Sequence, residues 1–493
     1  MTPESEGTIM KSMFKTQVLP LVAALVLAGC ASTSSFAPTT APEAPTAFKE
    51  DGSARFVNAA PAEAQPRGEW WRVFGDPVLD DLVARAAAGN TNLQTAAARV
   101  VEARALLKEA QAGLFPQVGV SAGAQRATIP PGQGALPGQA LSVGTVGLSA
   151  SWEPDLFGKI SKARDAASLD AQSKAALLQS TRLVVQSAVA QAYFDLRALD
   201  SDRALVRQTV EAYRDTLHLT ERRYQAGDVA ELDLARVQSE VASTTSQALA
   251  LDRQRALAEH ALAVLLGEVP SRFSLVESDW GGALPTVPAG VPGAVLTRRP
   301  DVAAAQLAMQ AAEARAGVAR KAWFPDIALT ANGGYASTDI GDLFKWSTRA
   351  WGVGALLSLP VFDAGRREAG VQQTNAQWDE AAAAYREQVL VAFRDVEDQL
   401  ASLRLLADQA GAQKQAVDAA ARATVLSDTR YKNGLVSQLE LLDARRSELS
   451  DRRVAVQVRA AQYEATVGLI RALGGAWGQG TATAQATPSN QPG

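Results

Sequence analysis

From Ile160 to Ala226 the chain contains neither glycine nor proline. At about 1.5 Å per residue, a stretch of this kind makes one helix on the order of 100 Å long. Helices of globular domains seldom pass about 25 residues, so the length points to coiled-coil or repeat packing. The same composition recurs. Asp228–Leu266 and Leu435–Val467 are also free of Gly and Pro, and Arg366–Asn433 holds only Gly370 and Gly411. Between the members of each pair stand Gly227 and Gly434, placed like the left-handed residue that ends a helix. Each pair therefore reads as a helical hairpin.

The recurrence is a tandem duplication. Arg223-Tyr224-Gln225-Ala226-Gly227 answers Arg430-Tyr431-Lys432-Asn433-Gly434 at an offset of 207, and Gly158-Lys159 and Leu266-Gly267 answer Gly365-Arg366 and Leu473-Gly474 at the same offset. Upstream, Leu114-Phe115-Pro116 answers Trp323-Phe324-Pro325 at 209, so a two-residue length change lies between. Such self-similarity takes precedence over a domain count from length. Each half reads helix, two strands, long helix, turn, helix, and the first helix is expected over Leu79–Gly113.

Strands are expected at Gln117–Ala127, Val143–Trp152, Asp326–Ser337 and Ala350–Leu359. Val146, Leu148, Ala150 and Trp152 alternate with Thr145, Gly147, Ser149 and Ser151, which puts apolar residues on one face and small or polar ones on the other. Trp351, Val353, Ala355, Leu357 and Leu359 alternate with Gly352, Gly354, Leu356 and Ser358, so one apolar residue intrudes on the small face. About ten residues suffice for a tilted strand to cross a bilayer, and Trp152, Trp323, Tyr335 and Trp351 near the ends suit an interfacial girdle. A soluble sandwich would alternate in the same way. If the strands do span a membrane, four per chain cannot close a barrel with a polar lining, and open edges have no place in lipid. Three chains would supply twelve strands.

Lys11 and Lys15 precede the apolar run Val18–Leu27, as in a signal peptide, and Leu27-Ala28-Gly29-Cys30 resembles a lipobox with lipid attachment at Cys30. The alternative is an ordinary buried cysteine, and Met10 or Met13 is a candidate true start, because the residues before them are not signal-like. The expected organisation is a signal peptide (1–29), a flexible anchored segment (30–66), a first repeat (67–270), a linker (271–298), a second repeat (299–475) and a disordered tail (476–493). Composition narrows the function. A net charge of −4 without a basic run argues against nucleic acid as partner. One cysteine and two histidines, His218 and His260, leave little for a metal cluster. There is no phosphate-binding glycine loop and no poised nucleophile with a histidine, which counts against an enzyme. The alanine-rich helices suit close, two-sided packing, as in the wall of a hollow cylinder.

Over Trp70–Gly474 the chain resembles the outer membrane factors of the TolC and OprM type, and among them the NodT-like lipoproteins. The resemblance rests on Trp70-Trp71 with Phe74-Gly75-Asp76-Pro77, on Gly113-Leu114-Phe115-Pro116, on Asp155-Leu156-Phe157-Gly158, on both Tyr-x-x-Gly turns and on Leu439–Arg446. It implies a mostly α fold with membrane β: a trimeric twelve-stranded barrel continuous with a long α-helical periplasmic tunnel. It implies a gated exit duct for small molecules, a periplasmic adaptor and an inner-membrane RND-type pump as partners, and no cofactor.

It also implies a periplasmic gate at Leu439, Glu440, Asp443 and Arg446. Leu439, Asp443 and Arg446 share one helix face at i, i+4 and i+7. Rings of carboxylates would favour cations, whereas the same spacing also describes an ordinary solvated face. Asp233 and Tyr431 match family positions that lock the gate, and a Tyr431–Asp233 hydrogen bond is expected. Val436 stands where TolC itself has an arginine, so that member of the lock is missing or Arg446 substitutes for it. The turns at Gly227-Asp228-Val229 and Gly434-Leu435-Val436 would meet the adaptor. A protein-secretion or metal-efflux duct of the same fold, or a lipid-anchored helical scaffold without a pore, would share most of these features.

Overall fold

The computed structural model describes residues 44–51, 68–128, 140–278, 284–285, 287 and 298–475. Cys30, the signal peptide and the tail lie outside the described residues. Two repeats follow one another. The first comprises α2 (Thr91–Ala112), β1 (Gln117–Thr128), β2 (Ala140–Trp152), α3 (Lys159–Gln225) and α4 (Glu231–Leu266). The second comprises α5 (Pro300–Lys321), β3 (Asp326–Ser337), β4 (Arg349–Ser358), α6 (Arg366–Lys432) and α7 (Gln438–Ala472). One helix, α1 (Pro77–Gly89), precedes them.

The offsets read from the sequence are structural. Helix α2 shifted by 209 gives the bounds of α5, and β1 shifted by 209 gives those of β3. Helices α3 and α6 each have 67 residues and are related by 207. The two-residue difference falls in the loop between the strands, where it cannot disturb their pairing. Gln117 pairs with Ser151 in the first repeat, and their counterparts Asp326 and Ser358 pair in the second.

The four strands form one antiparallel sheet in the order β1-β2-β3-β4, so β1 and β4 are its edges. Through the pairings Val146↔Ala122, Val146↔Tyr335 and Ala331↔Val353, one face collects Val118, Val120, Val146, Leu148, Leu329, Val353 and Leu357. The opposite face carries Gly119, Ser121, Thr145, Ser149, Asn332, Thr330, Gly352 and Ser358. The apolar face is open: Val118, Val120, Leu148, Trp351, Val353 and Leu357 all stand exposed. No helix among the described residues is long and apolar enough to cross a membrane.

The core lies where both repeats meet below the sheet. Phe74 and Phe194 are 4.9 Å apart between ring centroids, and Phe194 and Tyr463 4.7 Å. Leu79, Leu82, Leu262, Val396 and Leu469 pack around them. The Phe74-Gly75-Asp76-Pro77 motif has a mechanical reading here. Gly75 turns the chain at φ 65°, and Pro77 opens α1 where a missing N–H costs nothing. Asp76 accepts from the Val78 and Leu79 amides and from the Tyr193 hydroxyl. Burial, reinforced by Asp76, pushes the Tyr193 hydroxyl up to about 12.

Two expectations change. The helix expected over Leu79–Gly113 breaks at Asn90, whose side chain accepts from the Asn92 and Leu93 amides and donates to Leu265 O at 2.7 Å. This cap, bonded to the end of α4, favours a corner over a continuous helix. Within the segment expected to be flexible, Phe48 is buried and the Lys49 and Glu50 amides donate to Glu397 of α6. An apolar anchor with three polar contacts, including Glu50–Arg404 at 2.7 Å, offsets the entropy that would leave it free.

Candidate functional site: the helical tips

Both hairpin turns have the same hydrogen-bonded form. Gly227 (φ 80°) donates to Tyr224 O at 3.0 Å and Asp228 to Arg223 O at 2.8 Å; Gly434 (φ 70°) donates to Tyr431 O at 3.0 Å and Leu435 to Arg430 O at 2.9 Å. These are Schellman motifs, in which glycine supplies the left-handed residue and the last carbonyls find donors. Asp228, Leu435 and both glycines are exposed; Val229 and Val436 are half-buried. The turns differ in how the next helix begins. Ser437 caps α7 by accepting from the Glu440 amide at 3.4 Å, whereas α4 starts at Ala230 with no side-chain cap.

Helix α7 then presents two faces. Leu442 packs inward on Tyr213 of α3 and Val237 of α4, and Leu441 is equally buried. Leu439, Glu440, Asp443 and Arg446 are all exposed. Arg446 reaches Glu240 of α4 and, at 3.3 Å, Asp443 of its own helix. The Glu240 contact, against a small burial cost, raises the Arg446 guanidinium further above its already high value. Arg430 lies 3.8 Å from Glu440.

The expected Tyr431–Asp233 hydrogen bond is not made within the chain. Asp233 faces Arg236 of its own helix at 3.7 Å. Tyr431 is buried, with the Arg223 guanidinium over its ring at 5.2 Å and no hydrogen-bond partner for its hydroxyl among the described residues. Arg446 on α7, paired with Glu240 on α4, makes a cation-to-carboxylate link between the two hairpins.

Three further residues belong to the site. Arg445 donates to Ala212 O at 3.1 Å and to Thr216 Oγ1 at 2.6 Å on α3, and pairs with Asp428 of α6 at 3.1 Å. Lys432 first, and then Arg445, hold the Asp428 carboxyl below its usual range. Gln438 donates to Thr220 Oγ1 at 2.9 Å in a buried bond, and Arg453 pairs with Asp202 at 2.7 Å. These side chains bolt α7 to α3 across the seam between the two hairpins. A signal for Arg445 existed: it follows buried Leu441 by one helical turn. Its partners on α3, Ala212 and Thr216, lie more than two hundred residues away and carried none.

The outer membrane efflux protein family model matches this sequence twice, over residues 82–268 and 291–475. The chain belongs to the outer membrane efflux protein family. The two matches are the two repeats. ArpC, an antibiotic efflux pump outer membrane protein of Pseudomonas putida, is 31% identical over 96% of this chain and 98% of its own length. The cation efflux system protein CusC of Escherichia coli is 30% identical over 95% and 100%. The solved outer-membrane channel OprN superposes with a TM-score of 0.82 at 28% identity, covering 89% of this chain and 99% of that one. The protein is an outer-membrane efflux channel, and its long hairpins are the part of that fold that extends into the periplasm.

Proposed function

We propose that three copies of this chain close one twelve-stranded barrel in the outer membrane, over a helical tunnel whose periplasmic end is gated at the α7 tip. The observation that carries the reading is the two-faced sheet with both edges unpaired. An apolar outer face suits lipid, the small polar face suits a water-filled lumen, and open edges in a bilayer require further strands. Three sheets give an even count within the range of such barrels.

Under threefold symmetry Leu439, Glu440 and Asp443 of three chains would ring one axis, where carboxylates favour cations and apolar side chains narrow the passage. The gate is held by Arg446, which ties α7 to Glu240. The duct is passive, and the other members of a tripartite assembly are a periplasmic adaptor, met by the tips around Asp228 and Leu435, and an inner-membrane RND-type pump. Antibiotic and cation efflux names among the relatives fit a duct that leaves substrate choice to the pump. Lipid at Cys30 would add an anchor to the barrel. Replacing Glu240 by Gln together with Arg446 by Ala tests the gate. Cells carrying the variant should admit a bulky hydrophilic antibiotic that wild-type cells exclude; equal exclusion at equal outer-membrane abundance refutes this gate.

A further inference from the structure

Resting on the shared-barrel reading, we infer that the duplication fixes the register of the seam between chains: β4 of one copy pairs antiparallel with β1 of the next so that Ser358 lies opposite Ser121.

Within each repeat the strands pair identically once β1 is shifted by 209 and β2 by 207, as Gln117↔Ser151 and Asp326↔Ser358 show. The two halves are thus interchangeable in the sheet. The β2–β3 pairing joins the first half to the second. In a ring of halves the remaining junction joins the second half to the first half of the next copy, through the two edges that the single chain leaves open. Carrying the observed β2–β3 pairs across by the same shifts defines that junction. Ser151↔Thr330 becomes Ser358↔Ser121, Ala150↔Ala331 becomes Leu357↔Ala122, and Ser149↔Asn332 becomes Leu356↔Gly123.

Two observations outside the shift agree. First, the pairs keep both faces continuous. Leu357 and Ala122 both lie on the apolar face, and Ser358 and Ser121 both lie on the small one. A one-residue slip would exchange the faces. Second, Leu356, the bulky side chain on the small face of β4, falls opposite a glycine. At one pair the seam differs from its model. Gly147 and Gly334 approach so closely that a Cβ on Gly334 would lie 2.2 Å from Val146 O. Their counterparts are Gly354 and Gln125, so the seam is wider at that point.

The test uses cysteine pairs in the full chain, oxidised in outer membranes and run on a denaturing gel. Ser151→Cys with Thr330→Cys, a pair seen within the chain, should give a cross-linked monomer of altered mobility and shows that oxidation reaches the lumen. Its counterpart, Ser121→Cys with Ser358→Cys, should give a covalent trimer about tenfold more abundant than either slipped pair, Gly119→Cys or Gly123→Cys with Ser358→Cys. A slip of two residues moves the partner about 7 Å along the strand, beyond disulfide reach. Single variants give the background from Cys30. A trimer from a slipped pair alone overturns the register and leaves the three-chain barrel standing. No seam cross-link beside a formed control, or a seam pair that cross-links within a monomer, overturns both.

Discussion

Gly267, the residue that closes the first repeat, gives a quantitative test of how α1 is docked. Its φ is +75°, and a Cβ there would lie 2.1 Å from Gly89 O, more than 1 Å inside ordinary contact with backbone that cannot rotate away. Gly267→Ala therefore meets two costs. The left-handed conformation costs about 1–2 kcal/mol. Withdrawing α1 to relieve the clash stretches the Asn90–Leu265 hydrogen bond (2.7 Å) and the Arg85–Glu268 pair (2.7 Å). One neutral hydrogen bond at roughly 1 kcal/mol and a half-exposed ion pair at up to roughly 1 kcal/mol bring the total to about 2–4 kcal/mol. Two controls separate the terms. Gly434 has a similar φ, +70°, with nothing within 4 Å of its Cβ, so Gly434→Ala isolates the backbone cost. At Gly89 φ is not positive, yet a Cβ would lie 2.3 Å from Leu266 O, so Gly89→Ala isolates the clash. Denaturant unfolding in detergent, followed by far-ultraviolet circular dichroism, should rank Gly267→Ala as the most destabilised and Gly434→Ala as the least. Equal losses at Gly267 and Gly434 would refute the docking argument.

Burial, then the neighbouring Glu464, pushes the Asp195 carboxyl up to about 7 from an ordinary 3.8, so folding is penalised as pH rises from about 4 and fully so above 7. Asp195→Asn should accordingly raise the melting temperature at pH 8 and leave it nearly unchanged at pH 4; the same shift at both values would contradict it. Arg445→Met keeps the side-chain stem but removes the links to Ala212, Thr216 and Asp428. It should cost about 2 kcal/mol and expose the tips of α3 and α7 to limited proteolysis, whereas an unchanged cleavage pattern would show the bolt to be idle. Tyr431→Phe removes a buried hydroxyl that has no partner among the described residues, so stability should hold or rise slightly. A loss above about 1 kcal/mol would place a partner for it on a neighbouring chain.

The legible parts of this fold are those specified by local chemistry. Glycine at 158, 227, 267, 365, 434 and 474 punctuates the helices, and every one of them has positive φ. Period-two alternation located all four strands to within three residues at each end. The break at Asn90 was not legible, because asparagine inside an alanine-rich run stops a helix only where a partner such as Leu265 O awaits it. Phe48 likewise sits in a stretch of Pro, Ala and Thr whose composition says nothing of a docking groove on α6. At the tip, spacing grouped Leu439, Asp443 and Arg446 on one helix face, and the burial of Leu441 and Leu442 on the other came only from the structure. The family pattern suggested Asp233 as the lock, and Glu240 holds the cation instead, since it lies across from Arg446 only once α4 and α7 are brought together. The Arg197–Asp200–Arg255 cluster, which ties the 275–276 segment over α3 and α4, is of the same kind: its charges are ordinary in sequence and buried only by assembly.

Single-channel recording of the purified three-chain species in planar bilayers tests the shared, gated barrel most directly. Wild-type protein should give discrete, brief conductance steps, and the Glu240→Gln, Arg446→Ala variant longer or larger ones. A stable three-chain species that never conducts, in either form, would contradict the account.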